Sequence, residues 1–112
     1  MTEQNPDIAA LHRTLLDLLD TLTARQEAAT DPATIQALGQ QMHEVAVRLT
    51  RAQQALFAQQ TAAIGAAIDE VNQAKADVDK AVAQIEQINK VVEAITGFLG
   101  LVDKALGIAK LV

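Results

Sequence analysis

The side chains of this 112-residue chain that could do metal chemistry are two histidines and several acidic residues. A helical di-iron site places a glutamate three residues before each ligating histidine, but His12 has alanine at that position and His43 has glutamine. A zinc-protease helix needs a second histidine four residues after the first, and none follows His43. We therefore predict that the chain holds no metal.

The acidic pairs Asp69–Glu70 and Asp77–Asp79 are the remaining candidates for catalysis. Residues one or two apart point in different directions on a helix, so these pairs indicate a solvated face. The chain has no serine and no cysteine, and no glycine-rich loop precedes a Lys-Ser or Lys-Thr pair. We predict that the protein is not an enzyme and that it uses no cofactor and no small-molecule substrate.

The composition is typical of an all-α protein. Half of the residues are apolar, yet only Phe57 and Phe98 are aromatic, so the core must come from leucine, isoleucine, valine and alanine. Alanine, glutamine, glutamate, lysine and leucine dominate, and these residues favour helix. The net charge of −5, with nine thinly spread basic residues and almost no aromatic side chains to stack on bases, argues against a nucleic-acid partner.

The sequence carries no recognisable targeting signal. Residues 1–7 are polar and acidic, so we expect no signal peptide. No run of about 18 uncharged apolar residues occurs, so we expect no transmembrane span. These features favour a cytoplasmic location by default, and they leave signal-independent secretion and peripheral membrane attachment open.

Two helix starts share one signal, a capping side chain directly before a proline, at Asn5-Pro6 and Asp31-Pro32. The spacing of apolar residues predicts a first helix over about 6–29. The link before the second proline is short and polar, so the second helix should turn back along the first. We therefore predict an antiparallel helical hairpin.

Both helices carry apolar residues at alternating steps of three and four, which is the heptad pattern of coiled-coil packing. On the flank of the second helix, Glu44 and Arg48 have the spacing of a favourable ion pair. We expect the apolar residues, here called the heptad seam, to pack against the chain itself or a partner. The heptad seam comprises Ile8, Leu11, Leu15, Leu18, Leu22, Ile35, Leu38, Met42, Val45, Leu49 and Leu56.

After Pro32 no further proline and no clear turn signal occur until about Ile95, so we predict one long helix over 32–95. Such a helix would be about 95 Å long, and the first helix would cover only about 36 Å of it. The uncovered part would need a partner, so we expect a coiled-coil or helical-bundle oligomer. The pattern shifts its frame near Gly65, and a turn there is the alternative, with three or more helices of similar length in a bundle.

The sequence divides into a disordered start at 1–5, a helical region over 6–96 and an apolar amphipathic helix over 97–112. This last helix could pack into the core of a bundle or an oligomer, lie on a membrane surface, or dock in a groove on another protein. We call its apolar residues the C-terminal apolar face, the candidate for contact with a partner or a membrane. The C-terminal apolar face comprises Val91, Ile95, Phe98, Leu99, Val102 and Leu106.

These observations predict a non-enzymatic interaction or scaffold protein that works through coiled-coil-type packing with itself or with a helical partner. The alternative is a membrane-active or membrane-associated protein, such as a pore-forming or translocation component or a lipid or granule coat. That alternative would use residues 97–112 at the bilayer.

Overall fold

The computed structural model describes residues 3–110, and most of this range is helical. No strand and no cis peptide bond occurs within it, which confirms the all-α class. The helices of the described range are α1 (Pro6–Ala28), α2 (Pro32–Gln54), α3 (Ala62–Ala83) and α4 (Ile88–Lys110).

The two helix starts predicted from the sequence are confirmed, and each has a side-chain cap. The Asn5 side-chain oxygen accepts hydrogen bonds from the backbone N–H groups of the second and third residues of α1, at 2.9 and 3.1 Å. A carboxylate oxygen of Asp31 accepts a bond from the N–H of the third residue of α2, at 3.2 Å. Each helix begins with proline, whose missing N–H would have had no partner in the first turn.

The predicted hairpin is also confirmed, because α1 and α2 run antiparallel and pack closely along their length. At one end, Gln26 Nε2 on α1 donates to the backbone oxygen of Ile35 near the start of α2, at 3.0 Å. At the other end, the backbone N–H of Asn5 donates to the backbone oxygen of Leu56, just beyond α2. Helices α3 and α4 form a second, equally close hairpin.

The two hairpins lie side by side, with α2 beside α4 and α1 beside α3. The carboxyl ends of α2 and α4 meet at one end of the bundle, where Ala55 and Leu106 line the same cleft. Their amino ends meet at the other end, where Thr34 and Ile85 line another. Helices α2 and α4 are therefore parallel neighbours, and the bundle measures 48 × 22 × 17 Å.

The core lies between the hairpins and consists of aliphatic side chains from every helix together with Phe98, which is fully buried. Full burial of one such side chain stabilises the fold by roughly 1.5–3 kcal/mol. The apolar stripe of α4 is the widest, with eight buried residues, and it faces α2 and α3. Each hairpin thus supplies the cover that the other one lacks.

The stretch from Pro32 to Ile95, for which the sequence predicted one helix, is interrupted at residues 55–61 and again at 84–87. At the first interruption, two backbone oxygens accept hydrogen bonds from a residue far away in the sequence rather than from N–H groups of the same helix. The N–H of Asn5 donates to Leu56 O at 2.6 Å, and Asn5 Nδ2 donates to Ala58 O at 3.1 Å. The bundle of several similar helices, which the sequence offered as the alternative, is the structure adopted.

The interruption at residues 55–61 lies before Gly65, the residue at which the sequence suggested a turn. Gly65 lies in the first turn of α3, whose cap is Thr61, with its hydroxyl accepting the N–H of Ile64 at 3.2 Å. The two polar residues that shift the heptad frame, Gln59 and Gln60, lie in the link itself. The frame shift therefore marks a connection between two helices.

The predicted boundary at residue 97 is not a boundary in the structure, because α4 begins at Ile88 and continues through the glycines. A glycine in a helix costs about 1 kcal/mol relative to alanine, and the burial of neighbours such as Phe98 and Leu99 outweighs that cost. Residues 111–112, at the end of the predicted C-terminal helix, lie outside the described residues.

The predicted disorder of residues 1–5 does not hold at Asn5, which is buried and makes the bonds given above. Glu3 and Gln4 are exposed and precede the first helix. Residues 1–2 lie outside the described residues.

Replacing Asn5 with alanine should lower the free energy of unfolding by about 2 kcal/mol or more, because the change removes a cap and leaves the backbone oxygen of Ala58 without its donor. Replacing Asp31 with alanine removes a cap and an exposed hydrogen bond from the Thr34 hydroxyl, and should cost about 1 kcal/mol. Urea unfolding followed by circular dichroism measures both losses. Equal losses would contradict a second role for Asn5 in fixing residues 55–61.

Candidate interaction surfaces

The residues that the sequence offered for metal chemistry or catalysis lie apart from one another. His12 is on α1, and His43 is exposed on the outer side of α2. Within residues 3–110 no three histidine or carboxylate side chains converge as a metal site would require. The acidic pairs of α3 are exposed, and two of their members make ion pairs, Glu70 with Lys104 at 3.1 Å and Asp79 with Lys75 at 2.5 Å.

The heptad seam packs within the chain's own bundle. Met42, Leu49 and Leu56 are partly buried against the core, and Ile35 is the most exposed member, at 36%. The second hairpin therefore provides the cover for which the sequence argument invoked a partner chain. The fully buried members are Ile8, Leu11, Leu15, Leu18, Leu22, Leu38 and Val45.

All six residues of the C-terminal apolar face also lie in the core, none of them more than 4% exposed. In this conformation they contact the chain's own helices and present nothing to an outside partner or a bilayer. Across residues 3–110, none of the helices combines the length and apolarity needed to cross a membrane.

A cluster of charged residues joins α2 to α4 on the outside of the core. Arg48 Nε and Nη2 donate to the two carboxylate oxygens of Asp103, at 3.0 and 2.9 Å, in the two-pronged geometry that suits a guanidinium. Arg51 Nη1 donates to the same carboxylate at 2.9 Å. The predicted flank pair is present too, since Arg48 also donates to the carboxylate of Glu44.

Arg48 is the most enclosed member of this cluster, with its side chain only 17% exposed. Its hydrogen bonds to Asp103 raise the pKa of its guanidinium above the ordinary value, although burial acts in the opposite direction. The guanidinium remains charged at every physiological pH, so this side of the α2–α4 contact always carries a cation that needs an anion. Asp103 provides that anion from the other hairpin.

Phe57 is the most exposed large apolar side chain of the described range, at 57%. It lies in the link between α2 and α3, at the end of the bundle where α1 begins. Asn5 donates hydrogen bonds to the backbone oxygens of the residues on either side of it, Leu56 and Ala58. The aromatic ring is thus held outward by a backbone that is fixed on both sides.

A cleft lies between the carboxyl ends of α2 and α4, at the end of the bundle that carries Phe57. Its aliphatic lining consists of Ala55 and Ala58 on one side and Leu106 and Ala109 on the other. Its rim is polar and consists of Arg51, Gln54 and Lys110. This end of the bundle therefore carries both an exposed aromatic ring and a cleft with a mixed aliphatic and polar lining.

A second groove runs along the outer side of the α3–α4 hairpin. Its floor consists of Ala74, Ala94, Gly97 and Leu101, with the edge of Phe98 beneath them. Charged residues of both signs, Asp77, Lys90 and Glu93, line its rim. The small residues leave the groove shallow.

Sequence reasoning missed the two features that stand out here, the aromatic ring at the bundle end and the carboxylate shared by two arginines. Phe57 did carry a signal, since it is one of two aromatic residues and lies beside the frame shift. The pairing of Asp103 with Arg48 joins residues 55 positions apart, and no local pattern reveals it.

Comparison with known proteins adds no functional information, because no family model, curated protein or solved structure matches the chain.

Glycines on the outer side of α4 should be replaceable with a gain in stability. A methyl group added at Gly100 would meet no other atom within 4 Å, so Gly100→Ala should raise the free energy of unfolding by about 0.5–1 kcal/mol. Gly39→Ala should gain less, because its methyl group would lie 3.1 Å from Gln26 Nε2, between α1 and α2. Chemical denaturation measures both, and an equal or larger gain for Gly39→Ala would contradict this close approach of the helices.

Proposed function

We propose that the protein is a non-enzymatic helical interaction protein, and that a second copy of the chain docks on the end of the bundle that carries Phe57. The observation that supports this proposal is an aromatic side chain, 57% exposed, on a link whose backbone is fixed by Asn5. Burying such a ring at an interface requires little further ordering of the backbone, because Asn5 already holds residues 56 and 58.

Exposed aromatic residues supply much of the binding energy at protein interfaces when they enter an apolar pocket. The backbone held at residues 56 and 58 increases that contribution, since a side chain that is already positioned loses less conformational entropy on binding. The other exposed large apolar residues, Leu16, Ile35 and Val47, lie singly on helix surfaces. Single apolar residues of that kind are common on monomeric proteins.

A second copy is the partner that the surface fits best, because the ring and a partly aliphatic cleft occur at the same end of the bundle. In a twofold dimer the same patch of both copies is used, so each Phe57 can enter the cleft of the other copy. The same end also carries charges of both signs. Lys110 lies on the cleft rim, and the exposed Glu3 precedes α1. Opposite charges on one patch can pair across such an axis.

Replacing Phe57 with alanine should weaken self-association at least about 30-fold, the loss of about 2 kcal/mol that is typical of a central interface aromatic residue. Sedimentation equilibrium of both chains over a range of concentrations measures this change. Leu16→Ala is the matched control, because Leu16 is an exposed leucine, 42% accessible, midway along α1. It should leave the association unchanged.

Two results would contradict the proposal. The first is a native chain that sediments as a monomer even at about 1 mM. Its free energy of dimerisation would then be weaker than about 4 kcal/mol, which is too weak for the proposed dimer. An equal effect of Leu16→Ala and Phe57→Ala would place the interface elsewhere.

The membrane-active alternative needs the C-terminal apolar face to leave the core, because those six residues are buried in the bundle. Vesicles of phosphatidylcholine mixed with phosphatidylglycerol therefore form a second arm of the same experiment. Under the interaction proposal the native chain sediments in the same way with and without vesicles. Binding of the native chain to the vesicles would favour the alternative.

A further inference from the structure

We propose that the bundle opens between its two hairpins while each hairpin stays folded, and that the Asp103 carboxylate is the polar tie that limits this opening. The inference concerns the chain alone and does not depend on what it binds. It follows from how unevenly the helices are joined.

Packing is close within each hairpin and weaker between them. Helices α1 and α2 are joined by a three-residue link and lie against each other along their length, as do α3 and α4 across the four residues of their link. Between the hairpins, α2 approaches α4 less closely, and α1 approaches α3 least of all neighbouring pairs. The helix backbones are therefore least closely apposed at the boundary between the hairpins, so opening there breaks the fewest close backbone contacts while it exposes core side chains that lie between the hairpins.

Side-chain hydrogen bonds across this boundary are concentrated at one place. Within residues 3–110, all the side-chain hydrogen bonds between α2 and α4 end on the carboxylate of Asp103, with Arg48 and Arg51 as donors. Between α1 and α3 the described residues have no such bond. One carboxylate on α4 thus holds two cations on α2.

The charges around Asp103 determine what its removal would do. From α2 it faces Arg48, Arg51 and, through Arg48, Glu44. On its own helix the neighbouring Lys104 is directed to Glu70 on α3, so that ion pair lies inside the second hairpin. Without the Asp103 carboxylate, the enclosed Arg48 would have only Glu44 as an anionic partner in the closed bundle. In the open bundle water would solvate its guanidinium, so the loss of Asp103 favours opening.

The link between the hairpins provides a pivot. Asn5 holds Leu56 and Ala58 to the start of α1, and Thr61 caps α3. The residues between these two anchors, 59–60, are exposed glutamines. Rotation at these two residues would separate the hairpins without breaking the bonds of Asn5, and it would release the exposed hydrogen bond that Gln60 Nε2 donates to the carboxylate of Asp7 on α1.

Cysteine probes can test this inference directly, because the chain has no cysteine of its own. Ala52 is fully buried on α2, one turn before Ala55, which faces α4 across the boundary. Ala67 is 3% exposed on α3, two turns before Ala74, which faces α4 inside the second hairpin. Ala52→Cys therefore reports separation of the hairpins, and Ala67→Cys reports opening of one hairpin.

The rate at which each buried thiol reacts with a soluble disulfide reagent should differ between the two positions. We expect Ala52→Cys to react at least about tenfold faster than Ala67→Cys. Adding Asp103→Asn should accelerate Ala52→Cys by about a further tenfold, the effect of losing a hydrogen-bonded charge, and leave Ala67→Cys unchanged. Glu70→Gln, which removes the ion pair inside the second hairpin, is the matched control and should accelerate neither by more than about fivefold.

Equal reaction rates at the two positions would overturn the proposal, because they would show that the thiols become accessible only in global unfolding. If Asp103→Asn accelerates the reaction of both thiols equally, the role given to Asp103 is overturned. A variant that does not fold gives this same result, because both thiols are then accessible. The comparison of the two cysteine variants without Asp103→Asn tests the opening itself and needs no further substitution.

Discussion

Each helix of the bundle carries one apolar stripe, and the burial of these stripes against one another is the constraint on which the rest of the structure depends. A hairpin of two helices can cover only part of its own stripes, so one face stays open along its length. The second hairpin of the same chain covers that face. Phe98 and the aliphatic residues of the heptad seam thereby become the interior of one bundle. The energy of this burial also holds α4 in a single helix through its glycines.

Polar groups set the arrangement within that constraint. Asn5 caps α1 and bonds to the backbone of residues 56 and 58, so one side chain fixes both a helix start and the link to α3. Asp103 sets the register of α2 against α4, because its carboxylate must meet Arg48 and Arg51 at the same depth in two parallel helices. The outward position of Phe57 is a consequence of the first arrangement. The proposed separation of the hairpins depends on the second.

Local signals in the sequence predicted local structure well. The caps at Asn5 and Asp31, the hairpin of α1 and α2 and the Glu44–Arg48 pair all follow from residues within a few positions of one another. The long helix predicted over 32–95 is first interrupted at residues 55–61, where the bonds to the backbone oxygens of residues 56 and 58 come from Asn5, more than 50 positions away. The same limit applies to the candidate surfaces. The exposure of Phe57 and the pairing of Asp103 depend on the tertiary fold, and the C-terminal apolar face has the same sequence pattern whether it meets lipid or its own bundle.

The central claim is that the chain's own second hairpin covers the first, and small-angle X-ray scattering at high dilution tests it most directly. We predict a compact particle with a radius of gyration near the 14.4 Å of the Cα positions and a longest dimension near 48 Å. A rod of about 95 Å with the mass of a single chain, the length of an unbroken helix over 32–95, would contradict the account.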